Sequence, residues 1–304
     1  MENHMGDDGV FDPAHALGIL LVLGSALAFS VAGVLTKLVA ADAWTVVCWR
    51  GLFGAPLILA YVIVRDPKHR LRAAVALGRQ GWLLATVGSL SSAAFIASFK
   101  LTYVANVSLA YATVPFAAAV FGWLLLREHV RTSTMVAAGV ALTGVAVMLW
   151  GGIEQGHLAG DLLAILMTLG MAAYMVLIRV FRTSAVVLAL AASSLQLFAA
   201  GWLLGDPLGV SARDLGLLAV FGFVFALAAI LLTEGTRLIP AAEAGFIGTA
   251  ETPLAPVLAW IILAELPPVT TLIGGAVVLI VVLIHAARDL RAIARPPDRL
   301  SPSA

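Results

Sequence analysis

The sequence predicts an all-α membrane protein of ten transmembrane helices, arranged as two inverted five-helix repeats. Composition is the first observation: hydrophobic residues fill 62% of the 304 positions and charged residues only 12%, half the charged share of an ordinary soluble domain. The second is a series of apolar runs of membrane-crossing length. The third is internal similarity: KLTYVANVSLAYATVPFAAAVFGWLLLRE, ending at Glu128, is approximately repeated by RLIPAAEAGFIGTAETPLAPVLAWIILAE, ending at Glu265.

A helix needs about 20 apolar residues to cross a bilayer core, because lipid leaves no partner for a bare backbone. Ten such runs lie at 16–38, 43–64, 81–101, 104–126, 133–150, 160–179, 184–205, 214–234, 239–263 and 270–287. They lack the polar/apolar alternation of barrel strands. The connections are short, with only 65–80 and the two tails of any length. Residues 1–13 carry four acids and no Lys or Arg, so they lack a signal peptide's basic start and are expected as a disordered tail. Residues 14–151 form the first repeat, 152–287 the second, and 288–304 a basic tail. Cys48, the single cysteine, lies inside the second run and reads as a small buried residue.

Placing the N-terminus in the cytoplasm puts 14 of the 18 Lys and Arg residues on that side, as the positive-inside rule requires. Both termini are then cytoplasmic. Gly18 to Lys37 in the first run is matched by Gly160 to Arg179 in the sixth. An odd number of helices per repeat makes the second enter the membrane from the opposite side, which supplies two nearly equivalent packings for alternating access.

The blocks PFAAAVFGWLLLRE (Pro115–Glu128) and ETPLAPVLAWIILAE (Glu251–Glu265), the CWR of the second run and the ten-helix duplication resemble the EamA family of the drug/metabolite transporter superfamily over residues 16–287. The resemblance implies a bacterial inner-membrane carrier with a cavity between its halves, among relatives that carry aromatic amino acids, riboflavin, S-adenosylmethionine or metallophores. The match departs from strict repetition at one point. Aligning Glu128 with Glu265 pairs Pro115 with Thr252, so the two helix breaks correspond to within a residue.

Proline within a helix removes a hydrogen bond and frees the carbonyl four residues earlier. Pro115 thus frees Tyr111, and Pro253 and Pro256 free Thr249 and Thr252. Tyr103, Asn106, Ala110 and Thr113 share one face of the fourth helix, and Ser91, Phe95, Ser98 and Thr102 one face of the third. Such mixed aromatic and hydroxyl faces suit an amphipathic organic solute, although Ser and Thr also serve as small packing residues. Phe29, Tyr174, Phe221, Phe225 and Trp260 are further candidates for a cavity wall, beside ordinary core packing. Trp44, Trp82, Trp123, Trp150 and Trp202 fall near span ends as interface anchors.

Charges within the spans are costly. Three roles are open to Arg50: snorkelling to the outer surface, pairing with a carboxylate, or recognising an anionic group of a solute. Glu251, near the middle of the ninth run, is either a coupling acid that exchanges a proton or a structural acid paired with a cation such as Arg50. Glu243 complements a helix start. Glu128 and Glu265 end their helices at opposite faces and are expected to hold loops or gates by pairing with cations.

All six histidines lie in tails, loops or helix ends, so the chain offers no mid-membrane proton relay, haem ligand or Ser–His dyad. It has no Walker-type phosphate loop and no Cys/His metal spacing, and its basic segment sets topology near anionic lipid rather than binding nucleic acid. No cofactor is expected. The expectation is therefore a secondary carrier of small organic metabolites whose partners are solute, bilayer and protons. An uncoupled facilitator and a non-transporting scaffold are the alternatives, and the sequence specifies no oligomeric state.

Overall fold

Ten helices account for most of the residues described by the computed structural model, which are 13–65, 77–181 and 186–294. They are α1 (Pro13–Leu38), α2 (Ala43–Arg65), α3 (Gly78–Leu101), α4 (Val104–Leu126), α5 (Thr132–Gln155), α6 (Leu158–Phe181), α7 (Val186–Leu204), α8 (Ala212–Leu238), α9 (Ala241–Gly248 and Glu251–Leu263) and α10 (Val269–Ala294). No strand occurs among the described residues. Nine of the helices have segments long and apolar enough to cross a bilayer, and α7 contributes the shorter apolar stretch Leu188–Leu204.

Several boundaries differ from those expected. The N-terminal tail lies outside the described residues except for Pro13, which opens α1, and 66–76 and 295–304 also lie outside them. The tail expected from 288 begins instead as the last turns of α10, which runs to Ala294. The boundary expected at 151/152 falls inside α5, which continues to Gln155 and ends where Gly156 takes φ 76°. At Gly151 and Gly152 the missing side chains admit Thr270 and Asp161.

The prolines mark the helix interruptions without sitting on them. α4 breaks at Thr113, two residues before Pro115, and α9 breaks at Thr249–Ala250, ahead of Pro253. Pro115 and Pro253 therefore fall in first turns, where a missing N–H costs little. Pro56 and Pro256 lie inside uninterrupted segments. Two of the three freed carbonyls are reused, contrary to expectation: Thr249 O accepts from Thr252 N at 3.1 Å, and Tyr111 O is a partner of Thr113 N–H. The i→i+3 bonds Thr113 N to Ala110 O and Thr252 N to Thr249 O tighten the backbone at the two breaks. A third interruption, at Val31 in α1, has no proline near it.

Packing is organised by small residues. α2 lies along α7 and α8, α3 along α6 and α7, α1 along α8 and α9, α4 against α6 and α9, and α5 against α10. Helices in lipid associate by close backbone approach because burial from water contributes nothing there. At the α2–α7 contact a Cβ on Gly201 would strike the carbonyl oxygen of Trp44, and one on Gly51 that of Ser194. Backbone cannot swing aside as a side chain can. We expect Gly201→Val to cost about 1–3 kcal/mol or more, read as a lower melting temperature in detergent. Gly216→Ala, where nothing lies within 4 Å, is the control, expected to gain about 0.5–1 kcal/mol.

The start of α2 is fixed by Asp42. Its Oδ1 accepts from the amides of Trp44 at 2.8 Å and Thr45 at 3.1 Å, and its Oδ2 from Thr45 Oγ1 at 2.5 Å. Burial pushes this carboxyl up, but the hydrogen bonds outweigh it and hold the pKa below the usual carboxylate value.

Candidate functional site

Six helices contribute side chains to an aromatic-lined interior. Phe225 of α8 stands edge-on to Phe29 of α1 at 6.1 Å, and the Arg50 guanidinium of α2 lies over the Phe225 ring at 4.4 Å and the Phe221 ring at 5.7 Å. On α3, Ser92 and Phe95 follow one another by a single turn. Arg50 Nη2 donates to Ser92 Oγ, and the Phe95 ring lies 6.1 Å from that of Tyr111 on α4. Tyr111 in turn lies within electrostatic reach of Glu251 on α9. Ala255, Leu258 and Ala259 share the Glu251 face of α9 and pack into the same cluster as Phe95 and Tyr111. Phe95 also borders the cluster formed by α1, α2, α3, α7 and α8, so it joins the Arg50 side to the Glu251 side. Phe29, Ser92, Phe95, Tyr111, Phe225 and Glu251 all keep some accessible surface while facing inward.

The two charges of this interior have no opposite-charge partners among the described residues. Arg50 is 3% exposed, so it does not snorkel, and its Nε has no hydrogen-bond partner. The ion pairs that do form are His15–Glu243, Lys37–Glu265, Arg65–Glu234, Arg237–Glu234 and Arg179–Glu128. Arg50 and Glu251 are absent from that set, and the structural pairing open to them in the sequence does not form. Ser92, and not the expected Ser91, is the hydroxyl bonded to Arg50, because helical spacing alone does not say which of two adjacent serines faces inward.

Charge pairs recur at the two ends of the bundle. At one, Lys37 Nζ meets Glu265 Oε2 at 2.5 Å, with side chains 23% and 11% exposed, and Glu265 Oε1 accepts from Val104 N at the start of α4. At the other, Arg179 Nη1 meets Glu128 Oε2 at 3.2 Å, with side chains 50% and 45% exposed. Each glutamate follows a left-handed residue, Arg127 at φ 53° and Ala264 at φ 52°. Each also donates its amide six residues back, to Gly122 O and Ala259 O, both at 3.3 Å. These are Schellman-type helix ends built without glycine. A recess of about 480 Å³ beside Glu128 is lined by Trp123, Arg127, His129 and Met135.

The remaining candidates lie away from the interior. Tyr103 sits at the Lys37 end, with Lys37 Nζ 5.9 Å from its ring. Asn106 is buried in a network with Thr102, Asp161 and Thr271. Thr113 turns its hydroxyl to Ala110 O and borders an apolar cavity of about 350 Å³ between α4, α5 and α6. Ser91 and Ser98 bond to carbonyls of their own helix, Val87 O and Phe95 O, each at 2.7 Å, as small packing residues do. Thr249 likewise bonds Phe246 O. Tyr174 packs with Leu84 and Leu188, and Glu243 pairs with His15 at 2.9 Å. Trp260 is 57% exposed and faces outward, a correction that follows from its lying one position beyond the inward stripe ending at Ala259. Asp161 was missed, although it is the one acid of the sixth run.

The sequence model of the EamA-like transporter family matches residues 16–150, which is α1 to within α5. Over those residues the chain is similar to the EamA-like transporter family. The EamA-like stretch thus contains Arg50, Phe95 and Tyr111, while Glu251 lies beyond it. No curated protein matches the chain. Solved structures do: one, titled "Crystal structure of protein", is 19% identical, with a TM-score of 0.58 over 96% of this chain and 99% of its own. At that identity the likeness shows a shared fold.

Proposed function

We propose that this chain is a secondary transporter of small organic solutes in a bacterial inner membrane, working by alternating access between two inverted five-helix halves. The observation that carries the reading is the aromatic interior holding two charges, Arg50 and Glu251, that no described residue neutralises. A charge left unpaired in a membrane bundle is expensive and marks a solute or ion pathway. The EamA-like match supports transport as the activity.

Inverted halves are supported by the packing. Exchanging each helix for the one five further on converts α3 on α6 into α8 on α1 and α2 on α8 into α7 on α3, and returns α2–α7, α4–α9 and α5–α10 to themselves; every one of these contacts occurs. The same exchange relates Arg179–Glu128 to Lys37–Glu265. With both termini cytoplasmic, Lys37–Glu265 closes the outer end and Arg179–Glu128 the inner end. The tighter and drier outer pair suits a state whose cytoplasmic end is the freer of the two.

Glu251 is assigned the coupling proton. The test combines thermal stabilisation of purified protein by amino acids, riboflavin, nucleosides, polyamines and S-adenosylmethionine with flux of any stabilising solute across pH. Saturable stabilisation is expected for one class, with flux that follows the proton gradient in wild type and loses its pH dependence in Glu251→Gln. Unchanged pH dependence in that variant removes the coupling role, and the absence of saturable binding to any solute class overturns the transport reading.

A further inference from the structure

Two hollows beside α4 and α5 meet at one residue. The apolar cavity of about 350 Å³ between α4, α5 and α6 and the recess of about 480 Å³ beside Glu128 both have Met135 in their walls. Ala110 of α4 and Val145 of α5 mark the deep end of the cavity, and Val120 and Met135 the end towards the recess. At about 1.5 Å per residue the cavity extends about 15 Å along the helices, half of the roughly 30 Å hydrocarbon core. Leu142 of α5 and Leu169 of α6, both in its wall, are exposed, so it opens sideways to the bilayer.

On its other side α5 is held tightly. Gly144 of α5 and Gly274 of α10 approach so closely that a Cβ on either would strike the other's carbonyl oxygen, whereas a Cβ on Gly139, in the cavity wall, meets nothing within 4 Å. The wall offers little to a polar solute. The hydroxyls of Thr113 and Thr168 are turned onto carbonyls of their own helices, Ala110 O at 2.7 Å and Ala164 O at 2.8 Å. The recess has the opposite character. Arg127 and His129 line it and Arg131 follows, all three exposed, and neither arginine pairs with a carboxylate among the described residues. Glu128, the acid of the recess, is taken by Arg179.

An apolar cleft one leaflet deep that ends beside two uncompensated cations matches one chemistry, a hydrocarbon chain joined to an anion. We propose that an anionic phospholipid docks between α4 and α5, with one acyl chain in the cleft and its phosphate at Arg127 and Arg131. Basic sites between membrane helices recruit anionic headgroups, and the planar fork of arginine can donate two bonds to one phosphate. The acyl chain touches both segments of α4, since Ala110 precedes the interruption at Thr113 and Phe116 follows it. Bound lipid thereby holds those segments at their present angle and couples bilayer composition to the Arg179–Glu128 end. The site is separate from the Arg50–Glu251 interior and does not require Glu251 to carry a proton.

The test is the melting temperature of the full-length protein in detergent, without solute, on adding phosphatidylglycerol or phosphatidylcholine with the same acyl chains. For wild type a saturable rise of about 3 °C is expected at ten times the phosphatidylglycerol dissociation constant, and about 1 °C from phosphatidylcholine at that concentration, a tenfold weaker fit. Gly139→Leu starts a side chain in the cleft where its Cβ meets nothing, and it replaces a helix-interior glycine. That variant is expected to melt no lower than wild type without lipid and to lose the phosphatidylglycerol response. Arg127→Gly suits the left-handed φ of 53°, and combined with Arg131→Gln it is expected to bring the response down to that of phosphatidylcholine. Equal stabilisation by the two lipids in wild type overturns the site. So does a phosphatidylglycerol preference that survives Gly139→Leu or the arginine double variant. Solute stabilisation is scored separately, so failure of the lipid site leaves the transport reading standing, and the reverse also holds.

Discussion

Arg50→Met is expected to raise the melting temperature of the solute-free protein and to abolish solute-dependent stabilisation. Arg50 is buried, with one hydrogen bond to Ser92, two aromatic faces and an unpartnered Nε. Ring quadrupoles return about 2 kcal/mol at best to a desolvated cation, less than the several kcal/mol that burial of an ion costs after relaxation. Replacing buried ions by apolar groups of similar length is worth about 1–4 kcal/mol in other folds, and a cation lacking a counter-ion belongs at the upper end. Binding moves the other way, because removing one partner of a buried charge pair costs about 2–5 kcal/mol, or roughly 30- to 5,000-fold in affinity. Thermal melting of wild type and variant, with and without a stabilising solute, checks both. A variant that melts lower when empty and still binds would show that Arg50 is structural.

Glu265→Gln is expected to slow transport far more than Glu128→Gln. The Lys37–Glu265 pair is close and mostly buried, and the glutamate also holds Val104 N. Its loss leaves Lys37 uncompensated, and after discounting for its partial exposure we expect about 2 kcal/mol, a shift of roughly 30-fold toward opening at that end. The half-exposed Arg179–Glu128 pair is worth about 0–1 kcal/mol, so its loss changes the balance by less than about fivefold. The measurement is labelling of a cysteine at Leu38, in a Cys48→Ala background, by an impermeant maleimide added on the Lys37 side. Equal labelling in the two variants would remove the asymmetry between the ends.

The helices were legible because each is long and apolar, and the charges at their ends could be placed by counting. The partners of Glu128 and Glu265 follow from the matched steps Gly18–Lys37 and Gly160–Arg179 once α6 packs on α4 and α1 on α9. Rotational placement was not legible. Ser91 and Ser92 differ by one position, yet only the second meets Arg50, and in lipid the outward face is as apolar as the core, so the sequence carries no polar side to orient the helix by. Proline position misled for a related reason: the chain relieves the lost bond upstream, at Thr113 and Thr249, where the residues carry no special signature. Asp161 was invisible because its partners, Thr102 just past α3 and Asn106 on α4, lie 59 and 55 residues away in sequence.

The interruption of α4 at Thr113 makes that helix a jointed lever. Its first segment, Val104–Ala112, is anchored at Val104 by Glu265, and its second, Val114–Leu126, carries Glu128 just past its tip. With a rise of about 1.5 Å per residue, a bend of about 20° at the joint swings the tip by about 7 Å. That stroke exceeds the 3.2 Å separation of Glu128 from Arg179, so one end of the bundle can let go while the other keeps its grip, and the helix need not slide along its axis at all.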